Sequence, residues 1–149
     1  ILLGLYIIYT GYQLIRKSVG GLMDETDIEI VNEVILHLNQ NRKSQWIDIH
    51  NLRTQRYGAQ THIDCHVTLP YYFDLNRVHD EVTQIDQVVN KNLSLETEFF
   101  IHADPCLPIC CHYCSYEPCD VRRQPQTDQI TWDLNNLTQN KKHFERLTF

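Results

Sequence analysis

His102 and Asp104 stand two residues apart in FFIHADP, where an apolar run meets a proline. Successive side chains of a strand alternate, so this imidazole and this carboxylate share one face. Imidazole nitrogen and carboxylate oxygen suit zinc, and an aspartate can bridge two ions. One strand end cannot supply a complete ligand set. Three further histidines fall where neighbouring elements could bring them in. His50 sits mid-strand in WIDIHNLRTQRYG, His66 lies on the polar side of THIDCHVTLP, and His79 is one turn into the next helix. A strand histidine alone is more often a surface or hydrogen-bonded residue than a ligand. The residues therefore leave two readings open, a histidine-rich metal site or a set of surface histidines. His37, His62, His112 and His143 show no comparable pattern and read as bystanders.

A second group comes directly after the first. CLPICCHYCSYEPC supplies Cys106, Cys110, Cys111, Cys114 and Cys119. Four thiolates complete a tetrahedral zinc site, and the best set is Cys106, Cys110 or Cys111, Cys114 and Cys119. Copper(I) is a softer alternative, and free surface thiols are the plain one. No second C-x-x-C stands at ribbon spacing. Such a site would staple a tail that lacks a hydrophobic core. Cys65 faces the apolar side of its strand and reads as a core residue.

The elements that must position these groups are legible in the periodicities. Ile28, Val31, Ile35 and Leu38 recur at helical intervals after a cap at Thr26 or Asp27. WIDIHNLRTQRYG then reads as a strand. In THIDCHVTLP, Ile63, Cys65, Val67 and Leu69 alternate with His62, Asp64, His66 and Thr68, so the two runs read as a hairpin. Asp74 begins a second helix, with Leu75, Val78, Val82, Ile85 and Val89 facing inward, and ETEFFIHAD is a third strand stopped by Pro105. Helix, strand, strand, helix, strand across residues 27–105 predicts a ferredoxin-like α+β domain, two helices on one face of a small mixed sheet. Residues 106–149 form a Cys-rich tail, with a short helix expected within ITWDLNNLTQNKKHFERL.

Upstream, ILLGLYIIYTGYQLI carries no charge, and residues 1–16 read as the C-terminal part of a transmembrane helix. A full span needs roughly 20 apolar residues, so this run is short by about a turn. A buried helix of a soluble protein is the competing reading. Arg16 and Lys17 place the downstream residues in the cytoplasm by the positive-inside rule. In that compartment clustered cysteines bind metal more often than they form disulfides. Residues 17–26 read as a linker, with Gly20-Gly21 as a joint.

The formal net charge is −6 with mixed signs and no basic stripe, which argues against nucleic acid as a partner. No H-E-x-x-H motif or obvious general base supports a zinc hydrolase.

The strings LMDE, IDIHNLRTQRYG, HIDCHVTLP, NRVHDEV and FFIHADP, in this order and spacing, resemble the cation diffusion facilitator family of metal efflux transporters. The resemblance covers roughly residues 1–106, the end of the last membrane helix and the cytoplasmic C-terminal domain. It implies a dimerising domain with a binuclear zinc site whose ligands are His50, His66, His79, His102 and Asp104. It implies that Asp24 forms a charge interlock at the junction with the membrane part. It also implies a proton-coupled antiporter in an inner or plasma membrane, regulated by cytoplasmic metal, whose transport site lies on helices outside this sequence. A soluble metal-storage or metal-delivery module is the alternative.

Overall fold

The computed structural model describes residues 1–22, 26–57, 60–93 and 97–146. The element order across the domain is α2 (Ile28–Gln40), β1 (Asp48–Tyr57), β2 (Gln60–Leu69), α3 (Leu75–Asn90) and β3 (Thr97–Pro105), preceded by α1 (Leu2–Leu22) and followed by a short α4 (Leu134–Leu137). The α+β order is the one the periodicities predict. The strands form one sheet in the order β1-β2-β3, with β1 antiparallel and β3 parallel to β2.

Side-chain oxygens start the domain's helices. Asp27 accepts the Glu29 and Ile30 amides at the head of α2, and Asp74 accepts the Arg77 amide at the head of α3. Both helices then press apolar faces onto one side of the sheet. Val31, Val34 and Leu38 of α2, Ile85 and Val89 of α3, and Ile49, Ile63 and Val67 of the strands are fully buried together. Burying each such side chain contributes about 1.5–3 kcal/mol. Cys65 is in this core, as its alternation predicts, and burial pushes its thiol far up. The predicted inward positions Ile28 and Leu75, at the first turns, are instead exposed.

β1 carries an irregularity that matters for the site. Its pairing steps from His50↔His66 to Arg53↔Asp64, three residues against two. The extra residue is a β-bulge, which shifts the inward and outward alternation by one. Asn51 takes φ 57° there, a left-handed conformation that asparagine tolerates. Its side-chain oxygen accepts Arg53 Nε and Nη2 at 2.8 and 2.6 Å.

α1 continues through Gly20 and Gly21, where the sequence suggests a joint. Leu5, Ile7 and Ile8 are all exposed, consistent with an apolar surface all round. No helix among the described residues is long and apolar enough to cross a membrane. Asp24 lies outside the described residues.

The tail differs from expectation. Instead of lacking a core, it joins the domain's own: Cys110, Tyr113, Cys114, Ile130, Trp132 and Leu137 are buried in the same cluster as Trp46 and Ile49. The end of α2 holds it. Asn39 Nδ2 donates to the Trp132 carbonyl at 2.7 Å, Arg42 Nη1 donates to the Ile130 carbonyl at 2.8 Å, and the Arg42 guanidinium lies 4.0 Å over the Trp132 ring. Isolated apolar residues in an irregular segment leave no period to detect, which is why the sequence did not reveal this.

Candidate metal centre

Strand register assembles the site on the sheet face opposite α2 and α3. His50 pairs across to His66, and His66 to His102, so three strands each place one imidazole in a single row. The ring centroids are 5.1 Å apart between His50 and His66 and 4.7 Å apart between His66 and His102. The neighbouring row is Asp48, Thr68 and Asp104.

Asp104 turns its two oxygens to different sides. Oδ2 lies 3.2 Å from His66 Nδ1 and 3.8 Å from His50 Nε2. Oδ1 lies 3.7 Å from His102 Nε2 and 3.2 Å from Lys142 Nζ. Ligand atoms of His50, His66 and Asp104 all lie within 4.8 Å of one another, the only group of three or more so placed among the described residues. Zinc bound at about 2.0–2.2 Å needs ligand atoms roughly 3.3–3.6 Å apart in a tetrahedron, so a modest closure completes the grip.

The electrostatics favour a cation there. Burial lowers the His50 pKa despite the opposing pull of Asp48, keeping its imidazole neutral, the form that binds metal. Its Nδ1 is buried without a hydrogen-bond partner and faces Asp48 Oδ2 at 3.9 Å. That is where a carboxylate commonly orients a metal-bound histidine from behind. Burial pushes the Asp104 carboxyl up, but hydrogen bonds from Lys142 and His66 together outweigh it and hold the group below its ordinary value. Two imidazoles and one carboxylate are a fitting donor set for zinc.

Four of the five predicted domain ligands, His50, His66, His102 and Asp104, therefore meet on one face. His102 stands at the exposed edge of the row, outside the tight group. His79 is exposed on α3 and is not part of the group within one chain. Cys106, Cys110, Cys111, Cys114 and Cys119 all line one cavity, with no three sulfurs close enough among the described residues to join such a group.

Three contributors escape a reading of the sequence. His143, a bystander by its sequence position, is buried, with its backbone amide donating to Asp48 Oδ2 at 3.1 Å and its Nδ1 paired with Asp48 Oδ1. Asp48 is itself fully buried. Lys142 brings an ammonium to Asp104 from the far end of the chain. The signal available was the alternation of WIDIH, which puts Asp48 on the same side as His50.

Residues 23–106 match the family described as "Cation efflux protein, cytoplasmic domain". This chain belongs to the cation efflux family. It is a family of transporters, not enzymes, and the matched residues are its cytoplasmic domain. An uncharacterized transporter of a Synechocystis strain is 25% identical over 91 residues, covering 61% of this chain and 29% of that protein. Metal tolerance protein C1 of Arabidopsis thaliana is 25% identical over 96 residues, covering 64% of this chain and 19% of that protein. The chain thus spans less than a third of these relatives. Among solved structures, the metal-bound C-terminal domain of the CzcD transporter from Thermotoga maritima aligns with a TM-score of 0.47 and 15% identity, over 52% of this chain and 88% of that one. The zinc form of the zinc transporter CzrB, described as putative, aligns with a TM-score of 0.47 and 17% identity, over 52% and 85%.

Proposed function

We propose that this domain is the cytoplasmic metal sensor and dimerisation unit of a zinc efflux transporter. The observation that carries the reading is the division of Asp104, with His50 and His66 at one oxygen and His102 at the other. A carboxylate so placed bridges two ions, one held by His50, His66 and Oδ2, the second started by His102 and Oδ1. The second set is incomplete in one chain. The exposed His79 completes it from a second copy, so zinc ties two protomers together. Metal then favours one arrangement of the dimer because it binds that arrangement more tightly.

In the whole protein, α1 ends the last membrane helix, residues 17–149 face the cytoplasm beneath an inner or plasma membrane, and proton exchange drives export. Asp24 forms the charge interlock between the two parts.

The test is the mass of the protein in solution, by sedimentation equilibrium, with and without zinc. Zinc is expected to shift the parent chain from monomer towards dimer. His102→Ala/Asp104→Ala is expected to lose that shift while keeping its secondary structure. A parent chain whose mass ignores zinc would overturn the reading.

A further inference from the structure

Five of the chain's six cysteines lie along one cavity of about 380 Å³, between the β2–α3 connection, the end of β3 and the tail. This cavity is separate from the histidine row and makes no use of Asp104. The sheet itself delivers the first thiol: the Cys106 amide donates to the Leu69 carbonyl at 2.8 Å, continuing the β3 edge by one residue. A 3₁₀ turn over Pro108–His112 delivers the next two, and the Tyr113 and Cys114 amides close it onto the Cys110 and Cys111 carbonyls.

The Leu107 amide donates to Cys110 Sγ at 3.4 Å, which fixes the direction of that sulfur.

Arg122 supplies what a thiolate cluster needs around it. Its guanidinium donates to the carbonyls of Cys111, Cys114 and Tyr116 at 2.9–3.2 Å and is braced by Glu117 at 2.9 Å. This fixes the backbone that presents Cys114. Four thiolates and one zinc carry two net negative charges, and Arg122 and Arg123 line the same cavity.

We propose that this cavity takes a soft divalent cation of the zinc class on Cys106, Cys110, Cys114 and Cys119, whose sulfurs stand wider apart than a bound ion would hold them and draw together on it. Cys111 is the member left out. It adjoins Cys110 on a tight turn, where neighbouring side chains diverge, and Cys110 is the one buried with an amide on its sulfur. Each thiol gives its proton to solvent as its sulfur bonds the ion, so binding releases protons. The site fastens the tail that brings Lys142 and His143 to the histidine row.

Cobalt(II) is the probe, because sulfur-to-cobalt charge transfer appears only when thiolates are ligands. The reduced, metal-free 149-residue chain is titrated with cobalt, and secondary structure is followed alongside. A near-ultraviolet charge-transfer band that zinc abolishes is expected in the parent, in Cys111→Ser and in Asp104→Ala. Cys106→Ser, Cys110→Ser, Cys114→Ser and Cys119→Ser are each expected to weaken cobalt binding by more than about tenfold, the loss typical even of an outer partner. A parent chain without the band overturns the site. A band lost in Cys111→Ser and kept in Cys110→Ser overturns the ligand set.

Discussion

Lys142 is the residue whose contact reaches furthest into function. Its ammonium meets Asp104 Oδ1, the oxygen that would start the second ion's site. A cation tethered there competes with a cation from solution, so metal must displace Lys142 before the aspartate can bridge. Lys142 is partly exposed, so its pair with Asp104 is worth about 0.5–1 kcal/mol. Lys142→Met is therefore expected to tighten zinc binding by about twofold to fivefold in a calorimetric titration. Unchanged or weaker binding would mean that Lys142 does not compete. His50, His66, His102 and Asp104 were legible from strand alternation, because each lies in a run whose period fixes its face. Lys142 and His143 were not. Their partners lie 38 and 95 residues away in sequence, and an irregular segment gives no period from which to infer a direction.

At the scale of elements, the sheet and its two helices were legible because apolar residues at intervals of two or of three and four fix both type and face. The β1 bulge left one trace, the step from Ile49 to Leu52, three residues where strand alternation calls for two. The tail left none. Ile130, Trp132 and Leu137 are spaced as no regular element would space them, yet they complete the domain's core. This gives the tail a structural role independent of any metal. Trp132 is 3% exposed, and Trp132→Ala is expected to cost about 3–5 kcal/mol by urea unfolding, as buried aromatic truncations do. A cost below about 1 kcal/mol would show the tail to be a loose appendage.

At the scale of the whole molecule, the proposed function joins a regulatory metal site to a dimer. One chain offers a near-complete site for one ion, half a site for another, and a histidine on α3 turned to solvent. On that proposal, the asymmetry makes a second copy part of the chemistry. The family and its domain order could be read from strings such as HNLRTQRYG and FFIHADP. How the tail lies across the sheet could not, since it depends on long-range contacts such as Asn51 amide to Gln139 carbonyl at 2.8 Å. The most direct test of the central claim is a side-chain nitrogen spectrum of the histidines, by long-range proton–nitrogen correlation, before and after zinc. Ring nitrogens of His50, His66 and His102 are expected to shift on metal binding, and those of His79 to shift once the dimer forms, while His37 and His62 stay where they were. Zinc that leaves His50 and His66 unmoved would contradict the account.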